Sequence, residues 1–147
     1  MKVIIQRVSQ ASVAVDEKIV SKIGPGFLAL VGLHHDDTIE KFGSIIKKIL
    51  NLRIFSDRDD KMNTSLIDNN YELLLVSQFT LYADCTKGNR PSFMQAMPPD
   101  QAKDLYQKFI EQCRHEYVSE KVKDGVFGAM MQISLINDGP VTIVLEG

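Results

Sequence analysis

The sequence predicts an α+β fold in a single compact domain over residues 1–147, and three observations predict it. Runs rich in Val, Ile and Ser occur near both ends of the chain, and two segments carry apolar residues at helical spacing. No repeat, low-complexity tract or linker-like stretch separates them, so strands and helices share one core. The two helices are inserted among β runs, which favours a bent, barrel-like sheet with both main helices on one side.

Residues 2–15 are β-leaning and carry no helix caps, which reads as a long strand; Asp16-Glu17 then turns the chain into a second strand ending at Ile23. Gly24-Pro25-Gly26 is a turn, and residues 27–33 form a short apolar run suited to a buried strand. Thr38 is placed to cap a helix whose apolar face is Ile39, Phe42, Ile45, Ile46, Ile49 and Leu50. Residues 52–55 read as a brief strand, 56–60 as a polar turn, and 73–80 as a strand that stops abruptly at polar residues. After a polar, basic stretch from Cys85, Pro99 and Asp100 open a second helix with Ala102, Leu105, Tyr106, Phe109, Ile110 and Cys113 on one face. Residues 130–136 and 141–145 are β runs separated by Asn137-Asp138-Gly139-Pro140, read as a hairpin-like return. The sum is roughly seven strands and two helices.

Composition excludes several function classes. A length of 147 residues with 44% hydrophobic content suffices for a core without disulfide or metal staples. The formal charge of -2 gives no global nucleic-acid signature, so any RNA contact needs a local basic patch. Cys85 and Cys113 show no paired spacing, which points to a reducing compartment and no zinc site. Gln6 and Arg7 interrupt the apolar start, and no window reaches membrane-spanning length; a cytoplasmic protein with no membrane partner is expected.

A search for conventional hydrolase chemistry finds no nucleophile paired with a base. His34-His35-Asp36-Asp37 suggests a metal loop, but adjacent ligands on an extended chain point different ways and no third group is identifiable; the segment reads as a solvated loop, and no metal is expected. Asp57, Asp59 and Asp60 read as a turn, and His115 as a surface residue of the second helix. Gly24-Pro25-Gly26 lacks the spacing and lysine of a phosphate loop, so no nucleotide cofactor, and no cofactor of any kind, is expected.

Three segments carry a specific signal: Ser77-Gln78-Phe79-Thr80-Leu81-Tyr82, Lys87-Gly88-Asn89-Arg90-Pro91-Ser92-Phe93 and Asn137-Asp138-Gly139-Pro140-Val141-Thr142. Together they resemble the D-aminoacyl-tRNA deacylase family. Ile5-Gln6-Arg7-Val8, Asn51-Leu52-Arg53-Ile54-Phe55 and Phe127-Gly128-Ala129 follow in that family's order and spacing, so the likeness covers essentially the whole chain. The resemblance implies a cofactor-free, metal-free hydrolase of D-aminoacyl-tRNA and glycyl-tRNA esters. It also implies a barrel-like α+β domain that forms a homodimer with active sites at the interface.

Residue roles come from the same resemblance. Ser77, Gln78, Phe79 and Thr80 are similar to the family's pocket floor, with Gln78 and the Phe79 backbone placed to hold the aminoacyl carbonyl. Thr80 is the hydroxyl placed as nucleophile. The motif offers it no His or Lys as base, so water assisted by the tRNA 2′-hydroxyl over a backbone oxyanion site is the simpler expectation. Gly139-Pro140 resembles a cis dipeptide that reaches into the partner's pocket and excludes L side chains by collision with its carbonyl oxygens. A cis bond costs only about 0.5–1 kcal/mol before proline, so proline is expected at 140. Phe127 and Met131 resemble pocket-lining residues, and Met130 departs from the acidic residue of many relatives. Lys87, Arg90 and Arg7 are expected to grip phosphates near the acceptor end of an aminoacylated tRNA. The alternatives are a non-catalytic RNA-binding module, which the acidic composition disfavours, and a proofreading deacylase of L-alanyl-tRNA, which differs around residues 77–80.

Overall fold

A computed structural model describes all residues, 1–147. Its organising element is β1 (Lys2–Val15), which returns through Asp16 and Glu17, both at positive φ (48° and 63°), into β2 (Lys18–Ile23). Two successive positive-φ residues match the right-handed twist of an antiparallel pair, so this short turn closes the hairpin. β3 (Gly26–Gly32) pairs antiparallel with the first half of β1, residues 2–8, and β2 pairs with the second half, residues 11–15. The other edge of β1 is occupied by a 15-residue strand, β8 (Gln132–Glu146).

The sheet continues from β3 to β6 (Glu72–Ser77) and β7 (Val122–Asp124), both joined in parallel, giving the order β2-β1-β3-β6-β7 with β8 on β1. Parallel neighbours need crossover connections. The first contains α1 (Phe42–Asn51) and a small ribbon of β4 (Phe55–Ser56) with β5 (Met62–Thr64); the second contains α2 (Pro99–Glu116). The two helices meet through Phe42 and Phe109, edge to face with ring centroids 5.1 Å apart.

The strand pleat divides the core. Phe27, Ala29 and Val31 of β3 and Leu73 and Leu75 of β6 point to the helices, in a cluster of 25 buried residues. Leu28, Leu74 and Val76 point to the opposite face, where Val8, Ala11 and Val13 of β1 meet them in a second cluster of 7. Met131, Ile133 and Leu135 cover that second cluster, so the sheet curls over itself as a nearly closed barrel. The expected α+β class, two helices and barrel-like sheet are the fold observed. No helix is long and apolar enough to cross a membrane.

Four local expectations change. Residues 130–136 and 141–145 do not form a hairpin: they belong to the single strand β8, and both halves pair with β1. Alternation of apolar residues cannot distinguish a turn from a bulge, and here the interruption is a bulge. Residues 52–54 lie outside any strand, and β6 ends at Ser77, three residues before the expected end at Thr80. Thr38 makes no side-chain cap; it precedes a 3-10 turn (Ile39–Lys41) that feeds α1. The strands β5 and β7 were not foreseen, because three-residue segments carry too little periodicity.

Gly26 is where β3 starts and where it lies closest to β6. A Cβ there would sit 1.9 Å from the Glu72 carbonyl oxygen. Gly26→Ala is expected to destabilise the fold by about 1–3 kcal/mol or more, because backbone rather than a flexible side chain must move. A melting temperature equal to that of the parent protein would show that the β3–β6 contact is looser than described.

Candidate active site

β6 delivers the first wall of the site. The Gln78 amide still donates to Val31 O (2.7 Å), continuing the β3 pairing, and the chain then tightens into a 3-10 turn, Phe79–Tyr82. The first amides of a helical turn have no partner within it, so Phe79 and Thr80 present N–H groups at the strand end. Ser77, Gln78 and Phe79 form one side of a cavity of about 780 Å³. The segment leading into α2, with Ala96 and Met97, and Ala102 in the first turn of that helix form the second side, and residues 127–131 form the third.

The chemistry of this lining is its most informative property. Of 16 lining residues, none has an ionisable side chain, and Ser77 and Gln78 are the only polar side chains. Phe79 and Phe93 meet edge to face at the mouth, ring centroids 5.0 Å apart, and Met130 is 90% exposed on the rim. Thr80 is exposed and is absent from the lining; its Oγ1 accepts a hydrogen bond from Gln78 Nε2. Its partner is thus an amide donor and not a base. Behind the floor, Tyr106 packs on Phe127 (centroids 5.8 Å) with its hydroxyl buried and unpartnered. Burial pushes the Tyr106 phenol well above its ordinary range and the Cys113 thiol up to about 12, so neither supplies an ionised group to the cavity.

The residues foreseen from the motifs separate into three groups in space. Ser77, Gln78, Phe79, Phe127 and Met131 share the cavity. Phe93, Met97 and Ala102 also line it without having been assigned to it; Phe93 lies inside a recognised motif, Ala102 reads as part of the apolar face of the second helix, and Met97 carries no signal of its own. Lys87 and Arg90 lie on an exposed loop closed by reciprocal Asp84–Ser92 backbone bonds (2.8 and 2.9 Å), and neither forms an ion pair.

Gly139 and Pro140 form the third group, and they do not line the cavity of their own chain. The β1–β8 register passes from Gln6↔Thr142 to Val8↔Asn137, so the single residue Arg7 faces four residues, 138–141. These four bulge from the sheet, with the Gly139–Pro140 bond cis. Arg7 holds the bulge: its Nε donates to Asp138 O (2.9 Å) and its Nη1 to Ile54 O (2.5 Å). Where the sequence leads to an expected phosphate contact, Arg7 is 8% exposed and its Nε and Nη1 donate to the protein's own carbonyls. Gly139 is required where it stands: φ is +131°, and a Cβ would lie 2.9 Å from Val141 N and 3.2 Å from Arg7 Nη2.

The chain that carries this cavity and bulge is similar to known proteins along its whole length. The family model described as D-Tyr-tRNA(Tyr) deacylase matches residues 4–146. The chain belongs to the D-Tyr-tRNA(Tyr) deacylase family. Two relatives named D-aminoacyl-tRNA deacylase, from Clostridium perfringens and Thermosipho africanus, are each 53% identical over 146 residues, covering 99% of this chain and 97% of theirs. One from Bacillus velezensis is 51% identical with 99% and 98% covered. A solved structure described as a c-Myc DNA unwinding element binding protein superposes with a TM-score of 0.96 at 48% identity, covering 100% and 99% of the two chains. A probable eukaryotic D-amino acid tRNA deacylase superposes with a TM-score of 0.86 at 18% identity, which extends the likeness in fold. As a deacylase family member the chain is a hydrolase, and the whole family-matched span lies within its single domain.

Gly139→Ala is expected to lower stability by about 1–3 kcal/mol through strain at positive φ, with an intact overall fold by circular dichroism. An unchanged melting temperature would mean that the bulge relaxes at no cost.

Proposed function

We propose that the protein hydrolyses the ester of D-aminoacyl-tRNA, and of glycyl-tRNA, in the cavity between residues 77–79 and 127–131. In this reading it works as a homodimer in which the Gly139–Pro140 bulge of one protomer enters the cavity of its partner. The observation that carries the reading is the separation within one chain: the bulge is rigidly held yet contributes nothing to its own cavity. A site completed by a second copy accounts for both facts. Ile136 and Val144, apolar and more than half exposed on β8 (53% and 59%), give that copy an apolar surface to cover.

An uncharged cavity suits this reaction. The aminoacyl ester is already activated, so selection of the correct substrate is the harder task, and selection by exclusion needs a rigid backbone obstacle rather than an acid or base. Carbonyl oxygens of the bulge would stand where an L side chain projects from the substrate's α-carbon, while a D side chain points away and glycine has none. In this reading the Phe79 and Thr80 amides serve the developing oxyanion, and Gln78 the carbonyl. Attack by water, assisted by the ribose 2′-hydroxyl, replaces an activated nucleophile, because Thr80 has no base within hydrogen-bond reach. Lys87 and Arg90, free of ion pairs, supply the local positive charge for phosphates near the acceptor end. The small net charge, -2, leaves the phosphate contacts to these local cations.

Three measurements test the reading. Purified protein is expected to cleave D-tyrosyl-tRNA and glycyl-tRNA and to spare L-tyrosyl-tRNA; sparing of glycyl-tRNA would contradict exclusion by collision. Thr80→Ala is expected to retain activity within about tenfold, and loss by about a thousandfold or more would make the hydroxyl the nucleophile. The rate on D-tyrosyl-tRNA is expected to rise with pH without an inflection near about 6.5, where a catalytic histidine would titrate. Such an inflection, removed by substitution of His34, His35 or His115, would place a base in the mechanism.

A further inference from the structure

The loop between β3 and α1 carries His34, His35 and Asp36, whose side chains the sequence alone suggests would diverge. Instead their ligand atoms all lie within 4.8 Å of one another. A single carboxylate addresses both rings: Asp36 Oδ1 lies 2.8 Å from His35 Nδ1, and Oδ2 lies 3.6 Å from His34 Nδ1. We propose that this loop is a binding site for a divalent late first-row transition ion of the zinc, nickel and copper class. Its ligands are the imidazoles of His34 and His35 and the carboxylate of Asp36, with water completing the coordination.

The backbone around the three ligands is already set. His34 N donates to Asp37 Oδ2 (2.7 Å), Asp37 N donates to His34 O (3.0 Å), and His35 N donates to Gln95 O (3.2 Å). The His34 ring is braced on two sides, by His35 at 4.0 Å and Tyr82 at 5.2 Å between centroids. Asp37 is not a ligand: its buried carboxylate is engaged by the Met1 ammonium (2.7 Å) and Lys41 Nζ (3.2 Å). The fixed turn lowers the ordering cost of chelation.

Donor type selects the ion. Two imidazoles and one carboxylate suit zinc, nickel and copper, whereas calcium requires six to eight oxygen ligands and magnesium a near-octahedral oxygen shell. Metal–ligand distances of about 2.1 Å put neighbouring ligand atoms of a tetrahedral ion about 3.3–3.5 Å apart. The side chains therefore close by an ångström or so, which His35 and Asp36, 48% and 73% exposed, accomplish by χ rotation.

The site sits behind one wall of the cavity without belonging to it. His34 forms an isolated antiparallel bridge with Ala96, and Met97 N donates to Leu33 O (2.9 Å); Ala96 and Met97 both line the cavity. A bound ion braces this wall and takes no part in ester chemistry.

The test uses tag-free protein, with zinc titrated by isothermal calorimetry at neutral pH and cobalt absorption as a probe of coordination. One zinc per chain is expected, with magnesium giving no saturable signal. His34→Ala and His35→Ala should each weaken zinc binding by about tenfold or more, and Asp36→Asn by a smaller factor. His115→Ala, on the distant end of α2, should leave it unchanged. All four side chains are at least partly exposed, and equal melting temperatures of the metal-free variants confirm that each folds. Absence of saturable zinc uptake, or uptake unaffected by both His34→Ala and His35→Ala, would overturn the proposal.

Discussion

The buried guanidinium of Arg7 is the constraint on which the rest of the site depends. Ordering one backbone residue costs about 1–2 kcal/mol, so a four-residue bulge costs several times that. Hydrogen bonds to a charged group contribute about 1.5–3 kcal/mol each, and Arg7 makes two, to Asp138 O and Ile54 O. The two magnitudes are alike, so without Arg7 the bulge would not be held in one place. The nearby Asp138 carboxylate, 56% exposed, adds little, because a solvated ion pair is weak. What fixes the bulge is a buried cation read by main-chain carbonyls on two separate segments, 54 and 138.

From that constraint the division of labour between bulge and cavity follows. The cavity is apolar, carries no ionisable side chain, and is lined partly by methionines and phenylalanines that adapt their shape readily. Soft walls of this kind discriminate poorly among side chains. A clamped backbone discriminates well, because its carbonyls cannot rotate away from an intruding methyl group as a side chain would. In the proposed reading, handedness is read by the rigid element, and the permissive cavity leaves side-chain identity largely unread. The proposed pairing of two copies accounts for the exposed apolar residues along β8 and for the absence of the bulge from its own cavity.

Much of this was legible in the sequence, and what was not has physical reasons. α2 was readable because Pro99 starts it and one face is continuously apolar from Ala102 to Cys113. β1 and β3 were readable for their length and β-branched content. The C-terminal strand misled, since Asn137-Asp138-Gly139-Pro140 has the composition of a reversing turn, and only the pairing of both flanks with β1 reveals a bulge. The burial of Arg7 is likewise illegible in the sequence: a cation in a strand gives no local sign that it will be buried against carbonyls 47 and 131 residues away. The His34-His35-Asp36 loop was expected to splay, yet Asp37 folds it into a turn through a buried ion pair with the chain's own amino terminus. In each case the deciding contact is distant in sequence, where periodicity and turn chemistry carry no information.

The central claim, that the clamped bulge acts in the cavity of a second copy, is tested most directly by pairing two defective chains. One carries Gly139→Trp, which fills the bulge and leaves the cavity; the other carries Ala102→Trp, which fills the cavity and leaves the bulge. Neither homodimer should cleave D-tyrosyl-tRNA, whereas the co-expressed mixture should recover activity, to about a quarter of the parent rate for random assortment into two-fold dimers. A mixture of properly folded chains as inactive as its components would contradict the account, because it would mean that each bulge serves only its own chain.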